Sequence, residues 1–241
     1  MKILAIGNSF SQDATRYLYQ IAKSNGDDFT VVNLYIGGCT LEMHYNNLKD
    51  DISAYNVQKN GEVTDKYISI KDALLSDNWD IVTLQQGSYE SFLYEKFTPY
   101  LPTLVDAIKT YAKNAKIFVH QTWAYETDSE RIKAVTNYNS SAEMFKDVKY
   151  CYDKMKEDIN AYGIINSGEL IELLKNYDTA NLYRDGFHMS LGLGRYATAL
   201  LWYATLSGKG IDSVTFNEFD EPVSLEDIKS VKTAINSLLK G

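Results

Sequence analysis

The chain is poor in the residues that staple, interrupt or strongly charge a protein. Of 241 residues only two are cysteine, Cys39 and Cys151, and they stand in no metal-ligand spacing. Two distant thiols exclude a disulfide-built miniature fold and fit a reducing compartment. Three prolines leave no material for a proline-rich linker, and no repeat or low-complexity tract interrupts the chain. Positive charge is in deficit: 24 Lys and Arg against 32 Asp and Glu give a net charge of −8. That balance argues against a nucleic-acid surface, which needs a basic patch. No run of 18 apolar residues is present, so no membrane partner or spanning helix is expected. The opening residues lack the charged start, apolar stretch and small-residue site of a secretion signal; as written the chain reads as cytoplasmic. One domain over residues 1–241 is expected, long enough to bury its own core.

Short apolar runs alternate with helical patterns. The strand candidates are Lys2–Gly7, Thr30–Ile36, Asp80–Gln86, Ala115–Gln121 and Gly163–Ser167. Helical patterns cover Asp13–Ser24, 98–113, 142–162, 168–176, 192–207 and 224–239. This alternation predicts an α/β fold with a mostly parallel sheet between helical layers. Residues 53–70 break the rhythm and read as an inserted hairpin around Asn60-Gly61, ahead of a helix leading to the third strand. Asp13 reads as the cap of the first helix, and Ser224 with Glu226 and Asp227 opens the last one.

Chemistry is concentrated at two places. Lys2-Ile3-Leu4-Ala5-Ile6-Gly7 stops at Asn8-Ser9, which sets one hydroxyl on the rim of a sheet before a helix. Backbone N–H groups at such a junction point toward developing negative charge. Near the other end Asp185-Gly186-Phe187-His188 puts a carboxylate three residues before an imidazole. Histidine suits a general base near neutral pH, and a carboxylate on its second nitrogen fixes the tautomer. Ser9, His188 and Asp185 thus supply nucleophile, base and orienting acid for acyl transfer.

In these blocks the chain resembles the SGNH, or GDSL-like, hydrolase superfamily. Ile6-Gly7-Asn8-Ser9-Phe10-Ser11 matches the first block, Asn33 to Thr40 with Gly37-Gly38 looks like the second, and Asp185 to His188 matches the last. Within the superfamily the likeness is to an uncharacterised bacterial branch with Gly-Asn-Ser-Phe and Asp-Gly-Phe-His. The resemblance implies a three-layer α/β/α sandwich, flavodoxin-like, with a parallel five-stranded sheet in the order 2-1-3-4-5. It implies a cofactor-independent hydrolase with Ser9, Asp185 and His188 as catalytic residues. The oxyanion hole would take the N–H groups of Ser9 and Gly38 and a side-chain amide from the third block.

That third block departs from the family pattern. Where Gly-x-Asn-Asp is usual, the chain has Leu84-Gln85-Gln86-Gly87-Ser88-Tyr89, and the asparagine position falls near Tyr89. Gln86 is the expected donor, with Gln85 as fallback, since strand neighbours face opposite ways. His44, Tyr89 and Trp123 are candidate pocket-lining residues, with a packing or polar-filler role as the alternative for His44 and Trp123. Arg184 either binds an anionic substrate or pairs with a carboxylate. The nineteen tyrosines fit either a sugar-binding cleft or ordinary packing. Gly192 and Gly194 lack the lysine and preceding strand of a phosphate loop, and no metal site is expected.

The leading expectation is a serine esterase for short acyl groups, acetyl foremost, on a carbohydrate or other small-molecule ester. The alternatives are a lipase-like or thioesterase enzyme for longer chains, and a non-catalytic carbohydrate-binding protein.

Overall fold

The computed structural model describes residues 1–240. In chain order the elements are β1 (Lys2–Gly7), α1 (Ser9–Thr15), α2 (Leu18–Ser24), β2 (Thr30–Tyr35), α3 (Leu41–Lys49), β3 (Tyr55–Lys59), β4 (Glu62–Ile68), α4 (Ile70–Leu75) and β5 (Ile81–Leu84). There follow α5 (Leu101–Tyr111), β6 (Lys116–Gln121), α6 (Glu130–Val135), α7 (Ser141–Asp158), β7 (Gly163–Asn166), α8 (Ser167–Leu174), α9 (Leu193–Ser207) and α10 (Leu225–Leu238). A short 3₁₀ turn covers Tyr94–Lys96.

β1 lies at the centre because it is apolar on both faces: Ile3, Leu4, Ala5 and Ile6 are all buried. It pairs in parallel with β2 on one side and β5 on the other, and β6 and β7 continue the parallel run. The five parallel strands therefore stand in the order β2-β1-β5-β6-β7, with helices covering the faces in a three-layer α/β/α sandwich. Five strands are not the whole sheet, however. The hairpin expected as a separate insertion joins it: β3 pairs antiparallel with β2 and β4 with β3, giving seven strands. Its turn puts Asn60 and Gly61 at φ of 54° and 86°, the left-handed pair a tight hairpin needs. The Asn60 side chain accepts from the Val31 N–H at 2.9 Å, which locks the turn to the β2 edge.

The helix expected over residues 13–24 is two helices. Between them Arg16 turns out to Asp220 and Glu62, while the buried Tyr17 sends its hydroxyl to the Leu191 carbonyl at 2.5 Å. Asp13 does not cap α1. Asn8 does, its Oδ1 accepting from the Phe10 N–H at 2.9 Å, which makes Ser9 the first helical residue. Ser224 caps α10 as expected, accepting from the Asp227 N–H at 3.0 Å. Cys39 and Cys151 are buried free thiols.

Candidate active site

The carboxyl ends of β1, β2, β5 and β6 converge where ligands usually sit in open α/β sheets. Ser9 follows β1 directly, and 179 residues later in the chain His188 meets it: Nε2 lies 2.9 Å from the Ser9 hydroxyl. On the other side of the imidazole, Nδ1 stands 2.7 Å from Asp185 Oδ2. With the ring proton on Nδ1, the imidazole donates to the carboxylate and accepts from the serine hydroxyl. Asp185 Oδ1 also accepts the backbone N–H of His188 at 2.8 Å and of Phe187 at 3.3 Å. Partial burial alone would raise the Asp185 carboxyl; these hydrogen bonds from His188 and Phe187 outweigh it and hold the group below the ordinary aspartate value.

The loop bearing Asp185 and His188 is pinned at its base and its tip. At the base the Arg184 N–H donates to the His188 carbonyl at 3.0 Å, and the Ser190 N–H to that of Leu182 at 2.7 Å. At the tip Gly186 has φ +83°, and a Cβ there would come within 2.6 Å of Ser129 Cβ, so only glycine fits. Its carbonyl accepts the Glu126 N–H at 2.7 Å, which seats the segment before α6 on the loop.

Asp13 is the residue that sequence reading missed. It sits one helical turn after Ser9, fully buried, and clamps the loop bearing Asp185 and His188 from beneath. Its Oδ1 takes Arg195 Nε at 2.8 Å and Arg184 Nη1 at 2.9 Å; its Oδ2 takes the Met189 N–H at 3.0 Å. Arg184 is therefore the partner of a buried carboxylate and also donates to the Met189 carbonyl. All three partners lie more than 170 residues from Asp13 in sequence, so no local signal marks it.

Three expected site residues lie elsewhere in the fold. Gln86 is fully buried with both ends engaged: its Oε1 accepts the Leu41 and Gly87 N–H groups at 2.8 Å each, and its Nε2 donates to the Lys96 carbonyl at 2.9 Å. It ties α3 to the end of β5 and presents no donor to the cleft. Trp123 has no exposed surface and floors no subsite. It stacks on Phe10 at 4.3 Å and donates its Nε1–H to the Phe187 carbonyl at 2.8 Å, bracing the neighbours of Ser9 and His188 against each other. His44 is fully buried beside Tyr55, Nδ1 to hydroxyl 2.8 Å, and burial lowers its pKa to about 3.

Gln85, the fallback donor, is also engaged. His120 Nδ1 lies 2.6 Å from Gln85 Oε1, which turns the Gln85 Nε2 toward Asn8 Oδ1 at 2.9 Å. Asn8 in turn donates to the Cys39 carbonyl at 2.9 Å, beside Gly38. Gly38 is exposed at φ +64°, and its N–H and that of Ser9 make no hydrogen bond within the protein. Tyr89 stands at the same rim, its ring edge 3.9 Å from where a Gly38 Cβ would be. Among the described residues no cluster of three His, Cys, Asp or Glu could hold a metal ion, and no helix is long and apolar enough to cross a membrane. A cavity of about 650 Å³ lies at the opposite, amino end of the sheet, lined by Met1, Asp80 and Lys116.

The family profile for a domain of unknown function, DUF4886, matches residues 2–237, and the chain belongs to that family. It is similar to a DUF4886 family protein from Bacteroides uniformis ATCC 8492, at 32% identity and TM-score 0.91, over 99% of this chain and 95% of that one. A proposed SGNH hydrolase from Slackia heliotrinireducens superposes with TM-score 0.63 at 20% identity, over 86% of this chain and 98% of that one. A single-site variant of an acetyl xylan esterase from Geobacillus stearothermophilus does so with TM-score 0.51 at 16% identity, over 90% and 97% of the two chains. At those identities the likeness is one of fold: this chain has the SGNH hydrolase architecture. No curated protein matches it.

Proposed function

We propose that the protein is a serine esterase that removes short acyl groups, acetyl foremost, from carbohydrate or other small-molecule esters. The observation that carries the reading is the continuous relay from Ser9 through His188 to Asp185, at 2.9 and 2.7 Å. Ser9 Oγ attacks the ester carbonyl as its proton passes to His188 Nε2. The imidazolium so formed is stabilised by Asp185 and then protonates the leaving alcohol oxygen as the carbon–oxygen bond breaks. Water, deprotonated by the same imidazole, releases the acyl group and restores Ser9. The free N–H groups of Ser9 and Gly38 serve as the oxyanion hole, each such donor typically supplying about 2.7–4 kcal/mol. The fold shared with an acetyl xylan esterase favours a short acyl group.

Ser9→Ala should lower p-nitrophenyl acetate hydrolysis by roughly 10⁴-fold or more while the thermal unfolding curve stays in place. Undiminished turnover in that variant removes Ser9 from the chemistry. A chain-length series of nitrophenyl esters tests the acyl preference, and activity rising toward long chains would transfer the reading to a lipase or thioesterase. A fluorophosphonate that leaves Ser9 unlabelled, together with measurable glycan binding, would make the protein a non-catalytic binder.

A further inference from the structure

The chain has four arginines, and three of them are neutralised. Arg16 pairs with Glu62 and Asp220, Arg184 with Asp13, and Arg195 with Asp13 and Asp220. Arg131, on α6, is the exception: no carboxylate comes within 4.0 Å of it among the described residues. Its Nε is buried without a hydrogen-bond partner, and the polar neighbour of its terminal nitrogens is the Tyr125 hydroxyl, whose pKa burial raises and the guanidinium works to lower. The guanidinium is nevertheless held in place, 4.6 Å over the Phe187 ring and 5.7 Å over that of Tyr125. Phe187 in turn lies 3.9 Å, centroid to centroid, from the His188 imidazole. The cation is thus no farther from the catalytic ring than those two steps laid end to end.

Its side of the site follows from the chemistry. In ester cleavage the leaving oxygen must take its proton from His188 Nε2, so the alcohol part lies on the imidazole side. The acyl carbonyl oxygen points the other way, toward Ser9 and Gly38. Phe187, packed on the His188 ring, and Arg131 above it belong to that imidazole side. The same segment carries Glu126, Asp128 and Glu130, and the whole chain is at −8, so an anionic alcohol would be repelled without this guanidinium.

We infer that Arg131 is a specificity-determining cation that selects esters whose alcohol part bears a carboxylate, an inference that rests on the esterase reading above. The substrate class is then an O-acylated acidic compound, with the open guanidinium fork taking the carboxylate.

The test compares 4-acetoxybenzoate with its neutral methyl ester, each as kcat/KM, in the wild type, Arg131→Gln and Arg131→Lys. The anionic-to-neutral ratio should fall about tenfold in Arg131→Gln, the scale of one charge-assisted hydrogen bond. Arg131→Lys should recover part of it, and added salt should narrow the ratio in the wild type only. An equal loss on both esters would mean that Arg131 merely braces Phe187, which overturns the inference. Calorimetric binding of 4-hydroxybenzoate provides a readout without turnover and should weaken about tenfold in Arg131→Gln. If the esters are cleaved with an unaltered ratio and 4-hydroxybenzoate binding is absent or indifferent to Arg131, this inference falls and the esterase stands. If neither ester is cleaved but 4-hydroxybenzoate binds through Arg131, the esterase reading falls and the anion site stands.

Discussion

Replacing Asp13 by asparagine separates the clamp from the catalytic groups it holds. The change conserves volume but removes the charge and turns one acceptor into a donor. Asp13 accepts at both oxygens, from Arg195 and Arg184 on one and from the Met189 N–H on the other, so an amide must set its NH₂ against an N–H on one side. Arg195 keeps Asp220 at 3.1 Å, whereas Arg184 keeps only the Met189 carbonyl. Breaking a buried pair costs about 3–5 kcal/mol. The arginine side chains are 27% and 12% exposed, so water offsets part of this and the lower end, about 3 kcal/mol, is expected.

The catalytic effect should exceed what that loss alone implies. Met189 is the residue after His188, and freeing its N–H lets the imidazole drift from Ser9. A displacement of about 1 Å costs on the order of 10²-fold in rate. Asp13→Asn should therefore show kcat on p-nitrophenyl acetate down by about two orders of magnitude per folded molecule, with KM little altered. Urea unfolding supplies the folded fraction and the stability. A variant that loses about 3 kcal/mol yet keeps kcat within about threefold would refute the positioning argument. Asp13 would then hold the fold without placing the base.

Two further outcomes follow from buried groups. Burial alone lowers His44 and His120 to about 3, so both are neutral in the folded protein throughout the mildly acid range. Unfolded histidines titrate near 6.5, so between that value and 3 the unfolded chain binds more protons and stability falls as pH falls. The two together should lower the unfolding free energy by about 4 kcal/mol between pH 8 and pH 5; a urea series showing under about 1 kcal/mol would contradict it. Gln86→Met tests whether the fully engaged amide takes part in catalysis. Stripping partners from Leu41, Gly87 and Lys96 should cost about 1–3 kcal/mol of stability while kcat per folded molecule falls less than about tenfold. A loss of 10² or more would restore Gln86 as an oxyanion donor.

What could be read from the sequence was what is local in it. The apolar run Lys2–Gly7 has its expected bounds, and the other four parallel strands are present but shorter. α3 was missed because Glu42, His44, Asn46 and Asn47 mask its period, although Thr40 caps it, accepting from the Met43 N–H at 3.2 Å. α6 went unseen for a similar reason, its one fully buried side chain being Ile132, yet Ser129 and Glu130 mark its start. In the site, the Ser9, Asp185 and His188 positions carried motif signals. Alternation correctly sends Gln85 and Gln86 to opposite faces, but it cannot say that Asn8 waits on one and Lys96 on the other. Asp13 and Trp123 take their partners from distant segments that no local signal indicates, and for His44 and Trp123 the structure realises the packing alternative.

The buried polar residues have a common placement that tells what they are for. From Ser167 after β7 the hydrogen bonds run through His120 on β6 and Gln85 beyond β5 to Asn8 after β1. From the Asn8 N–H they continue through the Ser11 hydroxyl to Asn33 on β2 and Gln58 on β3. This row crosses six of the seven strands and passes through the residue before Ser9. Stability gives no reason to put it there, since well-packed apolar side chains are as good or better in such places. A satisfied polar network does fix directions, because each amide and ring admits one arrangement of donors and acceptors. Here the fixed group is Asn8, whose side chain caps α1 and holds the Gly38 loop through the Cys39 carbonyl. Its two ends thus set the relative placement of the two backbone N–H groups assigned to the oxyanion hole, while Asp13, one turn further along α1, sets that of the base. The proposed nucleophile, hole and base are all referred to the same helical turn.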